Sequence, residues 1–313
     1  MSGSGLAGCD IIGDIHGHAD KLIALLKKLG YTRRDGSFQH PQRTVLFTGD
    51  FIDRGPDNIA VLNLVRAMVD AGSARAVMGN HEYNALCYHS RHPETGEPLR
   101  PHTAKNNRQH RSFLDEFSGR PQLLAETLAW FRTLPLFLDL DGVRAVHAEW
   151  DGRLVQALER RGGMRSSFQL DDAFLLQSAT PGTPEHVCAE TLLKGSEIEL
   201  PAGHGFHDKD GHYRREIRTR WWQSSAASYR EIAMLPESQL AAIPELPLKS
   251  NGRNIYPREE KPVFFGHYWM EPPVRLLAPN AACVDFSVAK DGVLCAYRWD
   301  GEPTLDAARL VYV

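Results

Sequence analysis

Thr48-Gly49-Asp50-Phe51-Ile52-Asp53-Arg54-Gly55 follows the apolar run Thr44-Val45-Leu46-Phe47, which reads as a buried strand, and precedes a helical pattern opening at Pro56-Asp57. Two carboxylates three residues apart, with an arginine and two glycines, are costly at the end of a buried strand. Buried charge is tolerated only when it is paired, hydrogen-bonded or bound to metal. A surface turn can contain the same residues, so the stretch gains meaning from its neighbours. Gly13-Asp14-Ile15-His16-Gly17 lies upstream and Gly79-Asn80-His81-Glu82 downstream, each again just after a short apolar run. Three loops rich in oxygen and nitrogen ligands, at successive strand ends, can converge on one crevice of an α/β fold.

The rest of the first ninety residues repeats that grammar. A helix is expected over 18–29, with Leu22, Ile23, Leu26 and Leu29 on one face and Gly30 at its C-terminal cap. A second is expected over 57–71, with Asp57 as N-cap, Ile59, Leu62, Val65 and Val69 inward and Gly72 as stop. A third short strand spans 75–78. Residues 91–122 break the pattern with prolines and glycines in a polar stretch carrying Arg100, His102, Lys105, Arg108, His110 and Arg111, and are expected to form a surface insertion without a core of their own. Helical periodicity resumes over 123–134. Residues 136–140 and 143–147 read as a hairpin turned by Asp141-Gly142. Thr183-Pro184 starts another helix. Further hairpin signals lie at 208–211 and at 290–292, the latter joining 282–288 to 293–299 as a closing antiparallel pair.

Composition narrows the class. A chain of 313 residues, 42% hydrophobic and 24% charged, has the make-up of a soluble globular protein with a sizeable core. A net charge of −3 supplies no general field for nucleic acid or membrane. Five scattered cysteines with no CxxC pair speak against a disulfide framework or a structural zinc site. With no signal-like or membrane-spanning run, the expected location is cytoplasmic.

In order and spacing, the three loops resemble the signature of the calcineurin-like metallophosphoesterases, specifically the phosphoprotein phosphatase superfamily. The resemblance implies a four-layer α/β sandwich with two central mixed sheets, in one domain over 9–313, preceded by a flexible 1–8. It implies a first divalent metal held by Asp14, His16 and Asp50. Asp50 is then shared with a second metal held by Asn80, His147 and His267. A mixed carboxylate and imidazole set suits manganese, with iron or zinc as alternatives. Two cations about 3.5–4 Å apart need an anion between them and can clamp both sides of a displacement at phosphorus. The family's chemistry is direct attack by metal-bound hydroxide. Arg54 then grips the phosphate oxygens, Asn80 and His81 lie against the substrate, and His81, oriented by Asp53, protonates the leaving oxygen. Singly, Asp53 and Arg54 also fit a local ion pair, and His147 or His267 a packed core histidine. Residues 91–122 and 151–258 lie outside the resemblance. The fourth motif departs from it, reading Glu149 after His147-Ala148 where relatives have glycines.

Substrate choice must come from those outlying segments. The leading expectation is a phosphomonoesterase acting on a phosphorylated small molecule, nucleotide or phosphoprotein. Symmetrical dinucleoside tetraphosphate hydrolysis, a nucleic-acid end phosphatase and a non-catalytic phosphate-binding protein are the alternatives. No segment interleaves aromatic and basic residues over a length that would hold a nucleic-acid strand. Trp221, Trp222, Tyr268 and Trp269 could stack an adenine. The arginines of 214–222 read either as a phosphate clamp or as a solvated strand face backed by two core tryptophans. Cys87 is expected to be buried beside the site and not a nucleophile.

Overall fold

The computed structural model describes residues 8–163, 166–207, 211–249 and 254–313. The expectation for 1–8 falls almost wholly outside them, as does most of the turn expected at 208–211. Its flanks, Phe206–His207 and Tyr213–Arg214, do pair antiparallel.

Cys9–Ile12 is the central strand of a six-stranded sheet. It runs parallel to Thr44–Phe47, which in turn pairs parallel with Ala74–Ala76. On its other side it is antiparallel to Val293–Trp299, which also pairs with Asp285–Phe286 and Leu310–Tyr312. A second, five-stranded sheet runs in the order Ala281–Cys283, Val263–Phe265, Val143–Val146, Pro135–Leu140, Ser167–Gln169. Its first three strands are parallel and the last two pairings antiparallel.

Alternation along the strands builds the layers. Ile11 and Leu46 from the first sheet share one cluster with Leu138, Val143, Ala145, Phe264 and Ala282 from the second, so these side chains fill the space between sheets. The intervening Ile12, Val45 and Phe47 belong instead to the cluster containing Leu22, Leu25, Val61 and Val65 of the helices Ala19–Lys28 and Asn58–Asp70. Val146, Val263 and Phe265 of the second sheet join Leu192, Leu193 and Trp221 in the same way. Helices therefore cover the outer faces of two mixed sheets.

The structure corrects two details of the sequence reading. In the first two helices the buried stripe is rotated: Leu25 is buried while Ile23 is only partly so, and Val61 and Met68 are buried while Ile59 and Val69 are partly so. The segment expected as one strand over 282–288 is divided between sheets. Ala281–Cys283 pairs with Val263–Phe265, and Asp285–Phe286 pairs with Val293–Trp299, leaving Val284 alone to cross from one sheet to the other.

A buried carboxylate ties the central strand to its surroundings. Asp10, with no exposed surface, accepts from Tyr31 Oη at 3.0 Å, Arg43 Nε at 3.0 Å and Arg298 Nε at 3.1 Å. Arg43 also donates to the carbonyls of Cys9 and Trp299. Removing the acid leaves a mostly buried guanidinium with only the more exposed Asp300 as a charge partner, and strips Arg298 and Tyr31 of their acceptor. Asp10→Ala is therefore expected to lose about 3–5 kcal/mol in chemical denaturation, whereas a loss below about 1 kcal/mol would mean that the pair behaves as a screened surface bridge.

Candidate metal and catalytic site

Five loops meet at the C-terminal ends of Cys9–Ile12, Thr44–Phe47, Ala74–Ala76, Val143–Val146 and Val263–Phe265. Backbone bonds sew them together. The N–H groups of Ile15 and His16 donate to Asp50 O at 3.0 and 2.9 Å, and Gly266 N donates to His147 O at 2.8 Å. Two glycines permit the approach. A Cβ on Gly79 would stand 2.2 Å from Asp50 N, and one on Gly266 would stand 1.9 Å from Asp14 Oδ1. Elsewhere the chain accepts strain: His16, Asp50, Asp53, Arg54, His267 and Trp269 all have positive φ. Such a conformation costs a non-glycine residue about 1–3 kcal/mol and concentrates at functional sites.

Glu82, fully buried, holds the second and third loops in register. Its Oε2 accepts from the N–H groups of Asp50 (2.9 Å) and Gly79 (3.0 Å), and its Oε1 accepts from Phe51 N at 2.8 Å. Burial, then the charge of Asp50, pushes its pKa up to about 7 despite those bonds. It also sits in the first turn of the helix Asn80–His89, where a negative charge meets the positive end of the dipole.

Every sequence-predicted ligand is buried and directed inward. Donor atoms of Asp50, His147 and His267 lie within 4.8 Å of one another, as do those of His16, Asp50 and His81. The two groups share Asp50. Asn80 completes the first of them, its Oδ1 lying 3.0 Å from His147 Nε2 and 2.7 Å from His267 Nδ1. Asp14 stands beside them: its Oδ2 accepts from His267 N at 2.9 Å, while its buried Oδ1 has no hydrogen-bond partner among the described residues.

Tautomers sharpen the picture. His16 Nδ1 donates to Ile52 O at 2.9 Å and His147 Nδ1 to Thr48 O at 2.8 Å, so each neutral ring turns a lone pair on Nε2 toward Asp50. His147 Nε2 then faces the carbonyl oxygen of Asn80, an arrangement that requires either a proton or a shared cation between two acceptors. His16 Nε2 and His267 Nε2 are buried without hydrogen-bond partners among the described residues. Burial, and after it the charges of Asp285 and Asp50, hold Asp14 well above the ordinary carboxylate range. Crowded buried carboxylates opposed by imidazole lone pairs are the electrostatic environment that divalent cations relieve. The donor set fits a two-cation centre.

Beside it lies a second constellation. His81 Nδ1 donates to Asp53 Oδ2 at 2.6 Å, and His110 Nδ1 donates to the other oxygen, Oδ1, at 2.9 Å. Burial alone would raise the Asp53 pKa, but the two imidazole bonds bring it down to about 2. Arg54 lies with its guanidinium carbon 4.1 Å from the ring centre of Trp269, which fixes its direction. All of these groups border a cleft of about 430 Å³, joined there by Asn84, Arg100, Lys194 and Arg218.

Sequence reasoning did not assign Glu82, His110, Arg100 or Asp285. Asp285 accepts from Trp269 N at 2.7 Å and Ser287 N at 2.9 Å and so holds the loop after His267. For His110 a signal was present: His110, Phe113 and Phe117 share a helical face, and all three are buried. The expectation that 91–122 lies at the surface is thus corrected, because Phe113 and Phe117 pack in the main core and His110 enters the site. Cys87 is buried as expected, and burial pushes its thiol up to about 11, away from nucleophilic use. Trp221 and Trp222 are core residues, edge-on to one another and tilted against Phe265, while Arg218 from the same run reaches the cleft.

Because both donor groups use Asp50, Asp50→Asn is expected to lower retained divalent metal from about two equivalents to well under one after dialysis, read by elemental analysis. Retention of one full equivalent would mean that the groups bind independently.

The family model for calcineurin-like phosphoesterases matches residues 10–225. An asymmetrical bis(5'-nucleosyl)-tetraphosphatase PrpE from Bacillus velezensis is 48% identical over 73 residues, 23% of this chain and 29% of that protein. A symmetrical bis(5'-nucleosyl)-tetraphosphatase from an Enterobacter species is 42% identical over 76 residues, 24% of each. The match thus spans less than a third of either curated relative. Among solved structures, the cold-active protein-tyrosine phosphatase of a psychrophilic Shewanella superposes with a TM-score of 0.51 at 20% identity, covering 96% of this chain and 81% of that one. A serine/threonine phosphatase from Saccharomyces cerevisiae gives 0.50 at 14%, covering 99% and 80%. These superpositions concern the fold. The loop signature, the paired donor groups and a family match over more than two thirds of its length place this chain in the calcineurin-like phosphoesterase family.

Proposed function

We propose that this metal-dependent phosphoesterase is a phosphomonoesterase for small phosphorylated molecules. The observation that carries this reading is the convergence of Arg54, the His81–Asp53–His110 chain and the shared-Asp50 donor groups on one narrow cleft. Asp14, His16, Asp50, Asn80, His147 and His267 would hold divalent ions, which would supply Lewis acidity toward phosphoryl oxygens and lower the pKa of water; the mixed donors suit manganese, iron or zinc. Arg54, aimed by Trp269, offers a planar fork to the non-bridging oxygens. His81 holds its proton on Nδ1 against Asp53, and its raised pKa reflects the nearby Asp50 and Asp53 carboxylates overcoming the effect of burial. The ring is positioned to carry a second proton to the leaving oxygen. His110, by occupying the other Asp53 oxygen, keeps that carboxylate from rotating away. Residues 91–122 and 151–258 select the substrate, since they supply Arg100, Lys105, Lys194 and Arg218 around the cleft.

Hydrolysis of dinucleoside polyphosphates is the second reading, supported by the activity named for the partly matching relatives. The lack of a free adenine platform among the four rings expected to supply one weighs against it. Trp221, Trp222 and Tyr268 are buried in the core, and the Trp269 ring is already in contact with Arg54 and, at 4.0 Å, with Lys290.

His81→Ala is expected to retain its metals by elemental analysis while kcat falls about 10²–10⁴-fold, most for leaving groups that need protonation. Loss of metal in that variant would move His81 from the acid's role to that of a ligand. A panel under manganese separates the substrates: p-nitrophenyl phosphate, a phosphoserine peptide, diadenosine tetraphosphate and a 3'-phosphorylated oligonucleotide, each read as kcat/KM. Of the phosphomonoesters, the small one is expected to lead the peptide and the oligonucleotide. A lead of about 10²-fold, roughly 2.7 kcal/mol, for diadenosine tetraphosphate would replace this reading with the tetraphosphatase one. No turnover of any member would leave a non-catalytic phosphate binder.

A further inference from the structure

One wall of the cleft is basic well beyond what a single phosphoryl group needs. Arg54 and Arg218 stand beside the metal donors, and Arg218 is close enough for its charge to help hold His267 well below the ordinary imidazole pKa, after burial itself. Arg100, Lys105 and Lys194 line the same space further out. The only carboxylates lining it, among the described residues, are Asp50 and Asp53, both already turned toward imidazoles.

Arg100 is held in an unusual way. Its Nη1 donates to Asn84 Oδ1 at 2.6 Å, and its Nη2 donates to Asn106 Oδ1 at 3.1 Å and Gln109 Oε1 at 2.9 Å. All three acceptors are neutral amide oxygens. They fix the guanidinium plane without cancelling its charge, and they leave two of its five N–H donors without a protein acceptor among the described residues. A half-buried cation fixed in this manner is preorganised for an anion. Its position follows from the helix Asn80–His89. Asn84 lies three residues after His81 and four after Asn80, on the same face, about one turn or 5.4 Å along the axis. Arg100 therefore sits past His81, on the side where the leaving group departs. Lys105 is exposed and Lys194 half-buried at the rim, the latter paired with Glu190.

We infer that Arg100, with Lys105 and Lys194, forms a second anion subsite, which takes a further phosphate group on the leaving-group side of the substrate. The substrate would then carry at least two phosphates, either in a continuous phosphoanhydride chain or as separate esters on one small molecule. This rests on the phosphoesterase reading for the meaning of "leaving group", but the subsite itself is a binding claim and can be tested without turnover.

Calorimetric titration of the full chain with inorganic phosphate, inorganic tripolyphosphate and adenosine 3',5'-bisphosphate tests it, in the wild type and in Arg100→Met, Lys105→Met and Lys194→Met. Tripolyphosphate is expected to bind the wild type more tightly than phosphate, and Arg100→Met should shrink that affinity ratio about tenfold. Each lysine variant should shrink it about threefold. Loss confined to tripolyphosphate assigns the subsite to a phosphate chain; equal loss for the bisphosphate assigns it to any second phosphate. An unchanged ratio in Arg100→Met, or equal weakening of phosphate and tripolyphosphate, overturns the inference. Should Arg100→Met lose its thermal transition, the two lysine variants decide, and an unchanged ratio in both overturns it equally. Arg100-dependent tripolyphosphate binding in a protein that hydrolyses no ester would sink the proposed activity and keep the subsite; turnover without that dependence would do the reverse.

Discussion

Asp50 is fully buried, accepts the N–H of His81 through one carboxylate oxygen and presents the other within 4 Å of imidazole nitrogens on His16, His81 and His147. Those three side chains come from three different loops. Their meeting is what the surrounding structure is built to permit: glycines where backbones touch, positive φ where ligands turn inward, and Glu82 bonded to three N–H groups across two loops. The cost is high, since Asp14, Asp50, Glu82 and Asp285 crowd negative charge into a buried region at the floor of the cleft. Burial and mutual repulsion raise the pKa of Asp14, Glu82 and Asp285. Cations at the shared centre would convert that repulsion into attraction, so metal loading and folding stability should be linked in this protein.

Much of this was legible in the chain, for a physical reason. Ligands at the ends of strands must follow short apolar runs, so loop and strand announce one another, as Phe47 does for Asp50 and Phe265 for His267. The two-sheet sandwich was legible only through the family resemblance, since the strand, loop and helix order by itself implies no more than a layered α/β core. What escaped were groups whose role depends on a partner distant in sequence. Glu82 reads as an ordinary first-turn acid until its bonds to Asp50 and Phe51 are seen. Arg100 sits in a proline-rich polar stretch with no periodicity, and its importance comes from Asn84, Asn106 and Gln109. The division of 281–286 between two sheets was invisible because the two halves run on without a turn residue between them.

The segment 91–122 shows how a short insertion can carry function without being a domain. Phe113 and Phe117 anchor it in the main core, His110 completes the coordination of Asp53, and Arg100 extends the cleft. Anchoring, orientation of the proposed acid and substrate contact thus reside on one stretch of chain. A change in its length or docking would act on turnover and on selectivity together, while leaving the metal donors, all of which lie elsewhere, in place.

The crossing at Val284 has a mechanical consequence. One residue spans about 3.3 Å, and here a single residue connects a strand of each sheet directly beneath the first ligand loop, its carbonyl lying 2.0 Å from where a Gly13 Cβ would stand. The sheets cannot part or slide at that end by more than this short covalent tether allows. Thermal breathing of the sandwich must therefore pivot about the ligand end and spread toward the opposite one. Large-amplitude motion is directed away from the place where tenths of an ångström decide whether a ligand set closes.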